Sequence, residues 1–541
     1  MAPGSGLELL ASSQSSTDLP SASLLSLPAE LQINILLECS AQDIATSLTV
    51  CQALNTLITA STLLTYRIHL GRLGYIDTRN MNEATWASAG GATGALGQLH
   101  GLVDRWHSLN WEEYKLNYPA WHVDTPAVLD DGILATMDEF NKELSFLELP
   151  KRTLTLEPPL TPRSWKFRMP DPCRGVAFDA SVNLVVVLEE IAPDLLTPNT
   201  SDDTSTNPFG SQVLVPMRLR FITLATGEAH PDAPRNTLPC GRFPTTGGPC
   251  QVLLCGDLVS LLVVEGDFGE GILAVWRWTT GELIGHLRKS IGGGSACFMS
   301  KDTILVPSLR SESACELILY RIPRTQSELS PIAVFDLTGA HLETSNDDHY
   351  AHPRIFLNGG RPLVSSSLPL VTAPPSPFFP SDDASFINIQ YELVIVGAET
   401  TIELHLPRSA FLRYAEHSPT TQDVRRIPWW EWGASRARWP HKSVTSTNTA
   451  LYGARKAFFE RKTRQITVVN LNSRLRGWTP EIPLPPGLIQ GWSDGEHSST
   501  STYMAQRDLK SADRRERWVS KLLCDDHHVV LHTVSPESGS S

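Results

Sequence analysis

The chain has 541 residues, 41% hydrophobic and 19% charged, a balance that suits a globular protein and excludes bulk disorder. That length is several times one compact domain, so two or three domains or one large all-β assembly are expected. Lys and Arg total 45 against 58 Asp and Glu, a net charge of −13, which argues against a broad phosphate-gripping face and against docking on anionic membranes.

Residues 1–22 are Ser-rich and carry Glu8 and Asp18 where a signal peptide places Lys or Arg. They are expected to be a disordered tail without a secretion signal. From 23 to 70 the pattern is helical and unusually apolar. Pro28 suits the first turn of a helix, where its missing N–H costs nothing. Glu30 in the same turn complements the positive end of the macrodipole. Leu31 and Ile35 lie one helical turn apart, with Leu36 and Leu37 widening the stripe. Ser40 followed by Asp43 reads as an N-cap with an acidic partner, opening a second helix through Ile44 and Leu48. Val50, Cys51, Leu54, Leu57 and Ile58 continue the apolar face into a third. Three short helices cannot bury this much apolar surface among themselves. The rest of the chain or another protein must cover part of it.

Residues 71–115 read as a helical linker, with a Gly/Ala-rich stretch at 87–97 and a helical segment at 99–111. From 116 to 541 the character changes to short apolar runs separated by Gly, Pro, Asp, Asn and Thr, the pattern of many strands joined by turns. Strands are expected at 184–188, 258–264, 303–307, 316–322, 392–396, 401–406, 457–460, 465–471 and 528–534. Two of the runs form a degenerate repeat. Leu219-Arg-Phe-Ile-Thr-Leu-Ala-Thr-Gly227-Glu matches Leu273-Ala-Val-Trp-Arg-Trp-Thr-Thr-Gly281-Glu, each a strand closed by a Thr-Gly turn in which Gly takes a positive φ without steric cost. Strand groups recur every ~40–55 residues, about one four-stranded propeller blade. Pro- and Ser-rich stretches at 197–209 and 365–383 read as long surface loops. The fold expected is a small all-α unit followed by a large mainly-β, propeller-like domain; a pair of β-sandwiches without radial repeat is the alternative.

The longest apolar runs fall far below the ~18 residues that span a bilayer. Nine cysteines, an odd number without any C-x-x-C, read as reduced thiols, and a cytoplasmic or nuclear protein is expected. Trp429, Trp430, Trp432 and Trp439, with Arg425, Arg426, Arg436 and Arg438 nearby, offer a possible target-binding surface, because Trp and Arg dominate interface energetics. The same rings equally fill a core, which their area favours. His527, His528 and His532 beside Cys524, Asp525 and Asp526 invite a metal reading. A strand through Val529 separates His528 from His532 by ~13 Å, too far for one zinc ion. No metal or cofactor is expected there, nor at Asp347, Asp348, His349 and His352. The basic islands 461–464 and 514–517 read as solvated faces. Neither a nucleophile elbow nor a phosphate loop is present, so no catalytic residue is expected.

Leu27-Pro28-x-Glu30-Leu31-x-x-x-Ile35-Leu36, then Asp43-Ile44, then Val50-Cys51-x-x-Leu54, resembles an F-box. The likeness covers about a tenth of the chain. Asp171-Pro-Cys-Arg-Gly-Val-Ala-Phe-Asp179, the Thr-Gly-Glu turns, Ile427-Pro-Trp-Trp-Glu-Trp-Gly433, Gly453-Ala-Arg455 and the run from Val468 are similar to the large F-box proteins of mushroom-forming (basidiomycete) fungi, in which a propeller-like region follows the F-box. The resemblance implies helices that dock on a Skp-type adaptor and through it join a cullin–RING ubiquitin ligase. Leu27, Pro28, Leu31, Ile35, Leu36, Ile44, Leu48, Cys51 and Leu54 would make the adaptor contact. The β region would recruit an unknown protein target, with neither nucleic acid nor membrane as partner. Two alternatives stand beside it: an F-box-like scaffold or propeller interaction protein outside any ligase, and a propeller hydrolase or lyase with carboxylates or His converging on a central channel.

Overall fold

The computed structural model describes residues 24–77, 83–108, 127–138, 142–149, 163–191, 214–244, 250–264, 270–291, 293–311, 314–325, 327–337, 352–359, 377–381, 384–395, 398–416, 424–433, 449–460, 465–472, 489–490, 503–508, 518–524 and 529–534. The expected tail at 1–22, the loop at 197–209 and most of 365–383 lie outside them. The chain divides after Gly71 into two compact units.

The first unit is helical. A 3-10 turn at Leu24–Ser26 leads into α1 (Ala29–Leu37), α2 (Ala41–Ser47), α3 (Gln52–Ala60) and most of α4 (Thr62–Leu73). The starts are set locally. Pro28 stands at the N-cap of α1, and its carbonyl accepts from the N–H groups of Leu31 and Gln32. Ser40 Oγ accepts from the Asp43 N–H at 3.1 Å and donates to the Asp43 carboxylate at 2.7 Å, capping α2. Both α1 and α2 lie against α3. Leu36, Ile44, Leu54 and Ile58 are buried.

The second unit is mainly β. It opens on β1 (Tyr75–Asp77), α5 (Glu83–Ser88) and α6 (Gly91–Ser108). These helices, expected as a linker, belong to the same compact unit as the strands. Among the described residues seven mostly antiparallel sheets follow. The first holds β2 (Ala127–Asp130), β3 (Ile133–Asp138), β4 (Glu143–Glu148) and β5 (Arg163–Arg168). The second holds β6 (Cys173–Asp179), β7 (Leu184–Glu190), β8 (Leu214–Thr223) and β9 (Thr237–Pro244). The third holds β10 (Cys250–Cys255), β11 (Leu258–Val264), β12 (Glu270–Arg277) and β13 (Glu282–Ser290). The fourth holds β14 (Cys297–Ser300), β15 (Thr303–Ser311), β16 (Ala314–Arg321) and, after β17 (Ser327–Glu328), β18 (Ser330–Asp336). The fifth holds β19 (His352–Gly359), β21 (Phe386–Ile395) and β22 (Ala398–Pro407), while β20 (Phe378–Pro380) pairs with β1. After α7 (Ser409–Glu416), β23 (Arg425–Ile427) and α8 (Trp429–Trp432) comes the sixth: β24 (Thr449–Tyr452), β25 (Arg455–Glu460), β26 (Gln465–Asn470), β27 (Ile489–Gln490) and β28 (Tyr503–Asp508). A hairpin of β29 (Trp518–Cys524) and β30 (Val529–Val534) ends the series.

Strand alternation explains how these sheets pack. Along β7, Leu184, Val186 and Leu188 join residues of the third sheet, including Val259 and Leu261, in one apolar cluster. Val185 and Val187, pointing the other way, join Ile133 and Phe146 of the first sheet. In β11, Leu258, Leu262 and Val264 face Ile304 and Ile318 of the fourth sheet, whereas Val259, Leu261 and Val263 face the second. A strand covered on both faces needs apolar side chains at every position, which is why these runs read as continuous rather than alternating. The fourth and fifth sheets share a further cluster, with Leu305 and Leu317 against Ile387 and Leu406. Leu523 and Val530 of the last hairpin pack on Leu134, Leu147 and Leu149 of the first sheet or its end. The leading strands β2, β6, β10, β14, β19, β24 and β29 lie each beside the next, and β29 lies beside β2.

The sequence repeat occupies equivalent places. Gly227 and Gly281 follow the third strands of successive sheets, and both have φ of 73°. A Cβ on Gly227 would stand 2.5 Å from the Phe167 ring on the outermost strand of the preceding sheet; on Gly281 it would stand 3.3 Å from Leu238, again on the outermost strand of the preceding one. Gly227→Ala therefore meets both a left-handed backbone, costing about 1–2 kcal/mol, and an aromatic obstruction. Gly281→Ala meets mainly the first. Denaturant midpoints are expected to fall for both, and further for Gly227→Ala; an equal fall would remove the Phe167 contact as a cause.

Candidate functional site

Six large hydrophobic side chains are exposed among the described residues, and four of them, Leu25, Leu31, Ile35 and Val50, belong to the helical unit. Leu31 (48% exposed) and Ile35 (44%) stand one turn apart on α1, so they share a face. Leu36 is turned away from that face and buried. The expected adaptor set therefore divides. Pro28, Leu31 and Ile35 are exposed; Leu27, Leu48 and Cys51 are half-buried; Leu36, Ile44 and Leu54 are buried. The last three are taken inside because three packed helices must each turn some apolar side chains away from water. Leu25 lies in the 3-10 turn before α1 and Val50 between α2 and α3, and neither was among the expected adaptor contacts.

The tryptophan cluster divides the same way. Trp429 and Trp432 are buried in the core shared by the fourth and fifth sheets with Phe335 and Phe411. Trp432 is fully enclosed, its ring centroid 5.1–5.4 Å from those of Trp429, Phe335 and Phe411, and its indole N–H donates to the Asp336 carbonyl at 3.2 Å. As target-binding residues these two are corrected to core residues, because α8 turns positions 429 and 432 inward together. Trp430, between them, is 73% exposed. Arg425 donates to Glu431 at 2.6 Å and Arg426 to Glu316 at 2.9 Å. Arg436, Arg438 and Trp439 lie outside the described residues.

One charged cluster went unread in the sequence. The Lys456 ammonium on β25 donates to the Glu403 carboxylate on β22 and lies 3.0 Å from His405 Nε2. All three are buried. Alternation in a strand offered no signal for it, since the partners come from strands about fifty residues apart in sequence. Burial, reinforced by the neighbouring ammonium, pushes the His405 imidazole well below its ordinary value of 6.5. Burial also lowers Lys456, opposed by Glu403. His405 thus stays neutral in the folded protein at acidities where the unfolded chain binds a proton. Its contribution to stability is present above pH 6.5 and is lost as pH falls from there toward the depressed folded value. The slope it adds is at most about 1.4 kcal/mol per pH unit. Denaturation between pH 7.5 and 5 is expected to show a shallower acid loss for His405→Gln than for the unmodified protein; parallel curves would remove His405 from the account.

All nine cysteines are free thiols. Burial pushes Cys240 up to about 12 and Cys250 up to about 11, so neither is a thiolate at neutral pH. Among the described residues no three His, Cys, Asp or Glu side chains are placed to hold a metal ion. His532 lies on β30, and 525–528 lie outside the described residues. Among the described residues no helix is long and apolar enough to cross a membrane.

No family model matches the chain, and no curated protein matches it. Among solved structures, a functionally unknown protein from Desulfotomaculum acetoxidans is 11% identical, with 66% of this chain and 84% of that one covered at a TM-score of 0.31. Acylaminoacyl peptidase from Pyrococcus horikoshii is 11% identical over 63% of this chain and 43% of its own, TM-score 0.30. BamB from Moraxella catarrhalis is 8% identical over 75% and 95%, TM-score 0.27. The mainly-β make-up of the second unit rests on its own sheets among the described residues.

Proposed function

We propose that the chain is an F-box-type subunit of a Skp–cullin–F-box ubiquitin ligase: an intracellular, non-catalytic adaptor whose helical unit docks on a Skp-type protein and whose β unit recruits a protein target for ubiquitin-dependent degradation. One observation carries the reading. The helices with the F-box motif leave Leu31 and Ile35 exposed on one face of α1, where an isolated helical unit gains nothing from them. An amphipathic partner helix would cover that face through apolar anchors. Catalysis is by proximity, the subunit holding its target beside a ubiquitin-charged enzyme. We further propose that the seven sheets close as a ring of blades, a reading supported by the order of the leading strands and by Leu523 and Val530 against the first sheet.

The test is reconstitution of the purified full chain with a Skp-type adaptor and then with a cullin–RING pair, read by light scattering. A complex containing all components is expected. Assembly with the adaptor that never admits the cullin would replace the ligase reading with that of a scaffold. If the adaptor does not bind at all, both are wrong.

A further inference from the structure

The two exposed large hydrophobics among the described residues of the β unit, Val424 and Trp430, fall within one run of ten residues, 424–433. The Arg425–Glu431 ion pair ties the two ends of that run together. Trp430 has no inward route. Its neighbours Trp429 and Trp432 are both fixed in the core, so the short α8 turn holds the intervening indole outward. Such a ring is pre-positioned and loses little freedom on binding. Arg425, its side chain 62% exposed, is tied to Glu431, the residue after Trp430; Arg426, 44% exposed, alternates to the opposite face of β23, where it meets Glu316. Each donates one N–H to a glutamate, Glu431 and Glu316 respectively, and a guanidinium has five such donors. Arg425 is further braced over the Tyr414 ring, 5.7 Å from its centroid. The arginines are thus held in place while most of their donors face water, in a chain whose net charge is −13. Finally, β23 pairs parallel with β18 and ends its sheet among the described residues. An extended segment lying along such an edge gains backbone hydrogen bonds.

From this arrangement we infer that the β23–α8 edge is the target-docking surface, and that its occupant is an extended acidic peptide segment carrying one bulky apolar side chain. The apolar side chain packs on Trp430, and Asp or Glu carboxylates that alternate across the extended segment take the outward N–H groups of Arg425 on one face of the edge and of Arg426 on the other. The carboxylates of Glu431 and Glu316 already sit at these guanidiniums, so a singly charged carboxylate is tolerated better than a phosphate dianion. The inference deepens the recruiting role proposed for the β unit and is read separately from the adaptor contact.

The test uses the full chain and labelled synthetic peptides with a central Phe flanked by Glu, Gln, Lys or phosphoserine, followed by fluorescence anisotropy. The Glu-flanked peptide is expected to bind, and the Gln- and Lys-flanked ones at least about tenfold more weakly. Trp430→Ala and Arg425→Gln are each expected to lower affinity for the Glu-flanked peptide about tenfold or more, as interface Trp and Arg do. Both side chains are exposed, and unchanged thermal unfolding confirms that the variants fold. Equal binding of Gln-, Lys- or phosphoserine-flanked peptides, binding of none, or indifference to Trp430→Ala would overturn the inference. Ile35→Asp is expected to leave peptide binding unchanged and Trp430→Ala to leave adaptor binding unchanged, so failure of either reading is seen on its own.

Discussion

Ile35→Asp is expected to weaken binding of a Skp-type adaptor by at least 100-fold while moving the thermal unfolding of the chain by no more than a degree or two. Ile35 is 44% exposed, and a substitution in water costs the folded protein about 0.5 kcal/mol or less. Burial in an apolar contact is different. The lost isoleucine forfeits about 1.5–3 kcal/mol of transfer free energy, and the new carboxylate must be desolvated without a partner. Together these exceed about 3 kcal/mol, two powers of ten in affinity. Aspartate near the C-terminal end of α1 also opposes the helix dipole, so Leu31→Asp, nearer the N-terminal end, is the companion variant. Titration calorimetry with purified adaptor decides. Full affinity in both variants would mean that this face of α1 is not the adaptor contact.

Trp432→Ala is expected to destabilise the protein by about 3–5 kcal/mol, the loss seen when a large aromatic is cut from a core that cannot collapse around the space. The ring is fully buried among Phe335, Phe411 and Trp429, and its N–H satisfies the Asp336 carbonyl. The Asp336 carbonyl would lose that hydrogen bond as well. Trp430→Ala, two positions away, is expected to change stability by less than about 0.5 kcal/mol. Urea midpoints of the two variants should therefore differ widely, and similar midpoints would show that α8 does not divide its tryptophans between core and surface.

Those three tryptophans show where sequence reading stops. Their side chains are chemically identical and lie within four positions, yet two belong to the core and one to water. A helical turn places 429 and 432 on one side, but which side is inward depends on Phe335 and Phe411, residues 18 or more positions away. The helical unit shows the same limit. Pro28 and the Ser40–Asp43 cap were readable because the bonds they form lie within a few residues. The strand at Leu258–Val264 was readable because a run of seven apolar residues has few other uses. The burial of Ile44 and Leu54 and the exposure of Leu31 were not, since all three apolar positions look alike before the helices pack.

The sequence alone determined the helical start, the later change from helices to short strands, the Thr-Gly turns and the absence of a readable catalytic motif, because caps, turns and alternation act over a few residues. Tertiary structure decided which apolar side chains stay in water, that Glu403, His405 and Lys456 meet, and that Trp430 stands out between two buried neighbours. The reason is physical: burial is a property of what lies across a packing surface, and those neighbours come from strands and helices far away along the chain.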